Sequence, residues 1–150
     1  MTTRQKSKKS ETATLKSNLH MESEIDVQDR FKSEMLHGNT GCALHLHRNV
    51  ELYGVKHGQM SVTVRNEKKV LTDGQMAMIG GLECHSFGAE KPMDTFFMQI
   101  GGMYTEDFLR LYSGKLPAIW LMDAAYNMEF IYPFLETVWQ RGETMTTLER

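Results

Sequence analysis

Glycine sets the strongest constraint on this chain, because it cuts residues 41–102 into short apolar runs. Gly38, Gly41, Gly58, Gly74, the Gly80-Gly81 pair, Gly88 and the Gly101-Gly102 pair punctuate runs at 42–55, 60–65, 69–71, 76–79 and 95–100. Strands of about 4–8 residues bounded by turn residues are the pattern of a sandwich or barrel. Asn66-Glu67 reads as the water-exposed tip of a hairpin, and Asp73-Gly74 as a second turn.

After Gly102 the period changes. Residues 104–112 carry Phe108, Leu109, Leu111 and Tyr112 at helical spacing, with Thr105 as N-cap and Gly114 as stop. Asp123 is placed to cap a second helix running through Tyr132. Pro133 then kinks it or opens a new one, with Phe134, Leu135, Val138 and Trp139 on one face until Gly142. Strands followed by helices argue for α+β packing around a β core. Both apolar stripes read as core, and a helix left half-covered is the place for a dimer contact.

Residues 1–30 differ in composition. Arg4, Lys6, Lys8, Lys9 and Lys16 are followed by Glu22, Glu24, Asp26 and Asp29, with few large apolar side chains between them. Such a stretch buries too little surface to offset its ordering entropy, so it reads as a flexible, solvated tail. It also lacks the apolar stretch of a secretory signal. The expected division is tail 1–30, β-barrel 31–103, and C-terminal helices 104–150. A chain of 150 residues is one domain's worth.

Charge narrows the function. With 17 basic and 19 acidic residues the net charge is −2, which lacks the basic excess of a free-standing nucleic-acid binder. No apolar run has the length of a membrane span. Two cysteines, Cys42 and Cys84, do not make a disulfide framework, so a cytoplasmic chain with free thiols in packing roles is expected.

The chemistry concentrates in His45-Leu46-His47-Arg48-Asn49-Val50-Glu51. On one strand, alternation sends His45, His47, Asn49, Glu51 and Tyr53 to one face and Leu44, Leu46, Val50 and Leu52 to the other. Two imidazoles and a carboxylate on one face are donors of the kind that hold first-row divalent metals. The leucine face needs a cover, either the C-terminal helices or a second subunit. A polar inner face suggests a barrel whose interior is a pocket. His85 follows the Gly80-Gly81 turn, and a hairpin returning beside the first strand brings it to His45 and His47. His57 reads as a solvated loop residue, and His20 and His37 as part of the lead-in. Met76, Met78, Met93, Met98 and Met103 fill core, with a soft pocket wall as the alternative.

These residues carry a resemblance. His45-x-His47-x3-Glu51-x6-Gly58 resembles the first cupin motif, and Gly74-x10-His85 has the spacing of the second. The 15 residues between Gly58 and Gly74 match the short intermotif length of small cupins. Within the cupins, the stretches LHLHRNVELYGVKHGQMSVTV, VLTDGQMAMIGGLECHSF and YTEDFLRLYSGKLP look most like the N-terminal, arabinose-binding-like sensor domain of AraC-type transcription regulators. The likeness covers about residues 41–116. Departures fall in the second motif: Gly80 and Gly81 replace its proline, Leu82 stands at its small residue, and Ala89 at its asparagine.

The resemblance implies a mainly β fold with C-terminal helices, the RmlC-like cupin jelly-roll barrel. In the family's enzymes the four matching positions hold a metal. The likeness thus implies that His45, His47, Glu51 and His85 hold one divalent transition metal (Zn, Mn, Fe or Ni). In the sensor reading the same residues, with Tyr53, line the binding mouth for a small-molecule effector. It further implies a homodimer through the C-terminal helices, and contact with DNA only through a helix-turn-helix half absent from this chain. The expected function is ligand sensing and dimerisation, not catalysis. The alternatives are a small metal-dependent cupin enzyme (an oxygenase, isomerase or decarboxylase) and a standalone metabolite-binding cupin.

Overall fold

The computed structural model describes residues 20–21, 31–38, 41–89, 91–112 and 118–148. The strands are β1 (His20–Met21), β2 (Phe31–Gly38), β3 (Cys42–Leu46), β4 (Val50–His57), β5 (Gln59–Val64), β6 (Glu67–Thr72), β7 (Met76–Ile79), β8 (His85–Gly88), β9 (Met93–Ile100) and β10 (Ala118–Leu121). The helices are α1 (Gly102–Tyr112), α2 (Ala124–Tyr126) and α3 (Tyr132–Leu148), with a π-helical turn at Asn127–Ile131 joining the last two. The strands form two five-stranded sheets, in the orders β1-β3-β8-β5-β6 and β10-β7-β4-β9-β2. All pairings are antiparallel except that of β1 with β3. The mainly β architecture with C-terminal helices is as expected. Among the described residues no helix is long and apolar enough to cross a membrane.

The two sheets face each other and fill the space between them. Met60, Val62, Val64, Leu71 and Phe87 from the first sheet pack against Tyr53, Val55, Ala77, Ile79 and Met93 from the second. A second apolar layer lies on the outer face of the second sheet. There Leu52, Met76, Phe96 and Met98 are covered by Tyr132 and Leu135, with Val138 and Trp139 at its margin. Strand β4 is therefore buried on both faces. The helical cover expected for the leucine face exists over Leu52, whereas Leu44 stays exposed. Met76 and Met98 lie under the helix, Met93 lies inside the barrel, and Met103 is exposed.

Several expectations need correction. The run 42–55 is not one strand. It leaves the first sheet after Leu46, turns at Arg48 and Asn49, and re-enters as β4 in the second sheet. The β5–β6 tip is Arg65 and Asn66, one residue earlier than expected, because Val64 pairs with Glu67. His20 and His37 stand in strands β1 and β2 rather than in an unstructured lead-in. The rest of 1–30 lies outside the described residues. The stretch expected to hold only helices also contributes β10, paired with β7.

The helices differ in their ends. Thr105 lies inside α1, where its hydroxyl donates to the Gly101 carbonyl at 3.3 Å, and so it is not the N-cap. Asp123 does cap, its carboxylate accepting from Tyr126 N at 3.0 Å. Pro133 opens a new helix, as one of the two expectations had it: it stands in the first turn of α3, directly after the π turn, where its missing N–H costs no intrahelical bond. Gly142 does not end α3, which continues to Leu148. Phe134 is exposed, so the expected buried stripe reduces to Leu135, Val138 and Trp139. Gly114 and the side chains of Phe108, Leu109 and Tyr112 lie outside the described residues.

Candidate metal centre

Four side chains from both sheets meet at one end of the barrel. His45 is the penultimate residue of β3, His47 sits in the corner between the sheets, Glu51 points inward from β4, and His85 begins β8. Each offers one donor atom, and these atoms all lie within 4.8 Å of one another. Alternation along a single strand is not what gathers them. The corner after Leu46 carries the chain across the barrel, and the β3–β8 register sets His45 directly opposite His85. The imidazoles pack edge to face, with ring centroids 4.1 Å apart for His45 and His85 and 5.0 Å for His47 and His85.

The backbone fixes how each imidazole presents itself. His45 Nδ1 donates to the Ala43 carbonyl at 2.8 Å, His47 Nδ1 to Asn49 at 3.0 Å, and His85 Nδ1 to Glu83 at 2.7 Å. A carbonyl only accepts, so each Nδ1 carries hydrogen and each Nε2 is the atom left for the centre. A backbone carbonyl on the far ring nitrogen is the usual support of a metal-ligating histidine.

Glu51 is the electrostatic hub. Its Oε2 lies 2.6 Å from His47 Nε2 and 3.6 Å from His85 Nε2, with all three side chains buried. Burial alone pushes its carboxyl upward, but the close His47 and His85 imidazoles and their charges outweigh that and bring the pKa down to about 2. A contact of 2.6 Å between His47 Nε2 and a carboxylate holds a proton between them. Two polar atoms point inward without a hydrogen bond: Glu51 Oε1 and His85 Nε2. Orphaned buried donors and acceptors are costly in an apolar interior, and a cation satisfies both. The donor set fits a divalent transition metal, though it does not select among Zn, Mn, Fe and Ni.

Tyr53 takes a different place. It faces the barrel interior but stacks on Phe87 at 4.2 Å, within the apolar core rather than among the four donors. Phe87 in turn contacts the His85 ring at 5.4 Å, so the two aromatics form the floor beneath the centre. The expected open pocket is not seen at these residues: all five are at most 5% exposed.

Gln99 was missed. It lies opposite Glu51 across the β4–β9 pair, is buried, and donates from Nε2 to Glu51 Oε2 at 3.4 Å. Its Oε1 is another buried atom without a partner. The available signal was a lone amide inside an otherwise apolar strand run. Cys42, expected to be a plain packing residue, stands with Sγ 3.4 Å from His45 Nδ1. Cys42 and Cys84 are both free thiols, as expected. His57 is exposed at the end of β4, 4.0 Å from Asp73.

Neither family models nor curated proteins match the sequence. Solved structures do match by shape. A cupin-2 domain protein of Shewanella frigidimarina aligns at TM-score 0.44 and 16% identity, over 48% of this chain and 72% of that one. An RmlC-like cupin of the same organism aligns at TM-score 0.45 and 20% identity, over 52% and 70%. Apo ToxT of Vibrio cholerae aligns at TM-score 0.53 and 7% identity, covering 71% of this chain and 47% of that one. At such identities the likeness speaks for the fold alone, a jelly roll of two facing five-stranded sheets.

Proposed function

We propose that this chain is a ligand-sensing module of the AraC type, in which a small molecule binds in the cupin barrel at a divalent metal held by His45, His47, Glu51 and His85. One observation carries the reading. Glu51 and Leu52 are consecutive residues of β4; the first belongs to the donor cluster, and the second lies under Tyr132 and Leu135 of α3. A displacement of β4 at the centre therefore reaches the helix layer without an intermediary. ToxT, an AraC-family regulator, supports this reading because its likeness covers more of the chain than that of the Shewanella cupins.

The chain's own residues supply the binding steps. His45, His47 and His85 present Nε2, with tautomers held by the carbonyls of Ala43, Asn49 and Glu83. Glu51 supplies the negative charge, and the proton it shares with His47 leaves as a cation enters. Gln99 steadies Glu51 Oε2 and offers Oε1 as an acceptor to a ligand hydroxyl or amine. Tyr53 and Phe87 bound the ligand from below. When bound, the metal would act as a Lewis acid toward a ligand oxygen. Sensing requires that the ligand favour one arrangement of β4 and α3 over the other. The effector, a homodimer through the C-terminal helices, and DNA contact through a separate helix-turn-helix half belong to the same proposal.

The four-donor fit favours a second reading, a small metal-dependent cupin enzyme. Two measurements on chain purified without chelator separate the two. Elemental analysis of wild type beside His85→Ala should give near one equivalent of metal in the first and none in the second. Loaded protein is then screened by thermal shift against small sugars and organic acids, with Trp139 emission followed in a Trp120→Phe background. A stabilising compound that shifts Trp139 emission and is recovered unchanged supports sensing. Consumption of the compound establishes the enzyme instead. A metal-free wild type removes the metal from both readings.

A further inference from the structure

Outside the four donors, an ion pair joins a buried carboxylate, Glu83, to a half-exposed guanidinium, Arg65. Glu83 lies in the loop between β7 and β8, and its carboxylate is almost wholly buried. Arg65, at the β5–β6 tip, grips it with both arms of its guanidinium: Nη2 donates to Oε1 at 2.6 Å and Nε donates to Oε2. The Arg65 backbone N–H also donates to the Cys84 carbonyl at 2.8 Å. Arg65 does this from a left-handed backbone conformation, φ 52, that places side chain and N–H on the same loop.

That loop leads straight to the centre. The Glu83 carbonyl accepts from His85 Nδ1, and the Leu82 N–H donates to the His47 carbonyl at 2.7 Å. The segment 82–84 is thus held by the hairpin tip on one side and by the corner residue His47 on the other. With the side chain of Glu83 fixed by two charge-assisted bonds, its peptide carbonyl has one direction in which to point.

We propose that Arg65 is a positioning residue for the metal centre: by clamping Glu83 it orients the Glu83 carbonyl that keeps His85 protonated on Nδ1 and aims Nε2 inward. It touches neither metal nor ligand and acts through the loop. The inference rests on the metal-centre reading for its consequence, although the geometry it describes exists without any metal. Partners at this remove from a metal commonly shift affinity about tenfold or more. Lysine cannot replace the arginine, because a single ammonium does not reproduce the two-armed grip.

The test uses the full chain, labelled with ¹⁵N-histidine and kept metal-free, with long-range ¹H–¹⁵N correlation reading each tautomer. Cobalt(II) titration follows on the same samples. Wild type should show His85 as the Nδ1–H tautomer alone. In Arg65→Met, Arg65→Lys and Glu83→Gln, His85 should become a mixture while His47, pinned by Asn49, keeps its tautomer. Cobalt affinity should fall about tenfold in the same variants. Arg110→Met removes an equal charge from an exposed pair on α1 and should change neither readout. A single His85 tautomer and unchanged affinity in folded Arg65→Met or Glu83→Gln overturns the proposal. Should Arg65→Met not fold, Glu83→Gln and Arg65→Lys decide. A wild type that takes up no cobalt defeats the metal reading, and the tautomer measurement still decides the role of Arg65.

Discussion

Leu82 holds a backbone conformation that an L side chain resists, φ 62, and its side chain is 58% exposed. It stands where the second cupin motif carries a small residue, so the chain retains the turn without the residue that suits it. The left-handed region costs a branched side chain about 1–2 kcal/mol, and an exposed leucine recovers little by packing. Leu82→Gly should stabilise the fold by up to about 1 kcal/mol after the added unfolded-state entropy is subtracted. Denaturant unfolding checks this, and a loss of stability would mean that Leu82 packs on something in solution. Glu51 gives a prediction with a pH signature. Its folded pKa of about 2 lies below the ordinary glutamate value of 4.5, so its ionised form favours the fold above 4.5. That contribution drains away as pH falls from 4.5 toward 2. In chelator-treated protein, the stability gap between wild type and Glu51→Gln should be constant above about pH 5 and close as the pH drops. A gap that stays flat throughout contradicts the His47–Glu51 ion pair. At this scale the four donors were legible because their spacing is a property of the sequence itself. Gln99, Glu83 and Arg65 were not, since each reaches the centre by strand pairing or loop geometry that no local pattern encodes.

Among the elements, α3 seats the Tyr132 ring tightly against β4. Gly54 lies under Tyr132, and a Cβ added there would stand 2.6 Å from Tyr132 Oη and 3.0 Å from Met76 Cγ. Gly54→Ala should therefore cost about 1–3 kcal/mol, the usual range for overpacking. Tyr132 Oη is buried with no hydrogen-bond partner, and burial pushes its pKa upward. Tyr132→Phe removes that unsatisfied hydroxyl and should be neutral or stabilising by about 1 kcal/mol. It also vacates the space that alanine needs, so the double variant should recover most of the loss. Strict additivity in that double-mutant cycle would show that the two positions do not touch. The same elements show why part of the fold escaped the sequence. Residues 42–55 look continuous because both halves are apolar and alternating, and only tertiary pairing reveals the change of sheet. Strand β2 reads as polar, with Lys32, Ser33 and Glu34, because it lies at a sheet edge. Strand β10 is four residues of apolar chain set among helical patterns, too short for a period to register. The glycine-bounded strands β5, β6 and β7 were legible because turn chemistry is local, and Gly58 shows it most plainly. Its φ is 106, and a Cβ there would meet Met93 Cβ at 2.8 Å.

On the scale of the whole molecule, the face of the C-terminal helices turned away from the barrel is unlike a solvated surface. Tyr126, Phe130 and Phe134 recur every four residues through α2, the π turn and α3, each more than half exposed. The first two rings lie 5.0 Å apart and form one ridge. Leu135, Val138 and Trp139 cover the barrel from an adjacent face of the same helix, and among the described residues the ridge stays exposed. A ridge of three aromatics on one helix is self-complementary when two copies meet about a two-fold axis, which is how most homodimers form. The proposed dimer would then run through α2–α3. Wild type should sediment as a concentration-dependent dimer, and Phe130→Glu combined with Phe134→Glu as a monomer. Because both side chains are exposed within one chain, that variant should keep its melting temperature at low concentration and its metal content. A wild type that stays monomeric as concentration rises would separate the ridge from self-association. A dimer that survives both substitutions would move the contact elsewhere on the surface. The two results bear differently on sensing. If dimerisation runs through α3, the contact from Glu51 through Leu52 to Leu135 links the metal centre to the partner copy, and ligand binding should shift the dimer constant. If it does not, the sensing proposal would have to pass its signal from α3 through another face of the molecule.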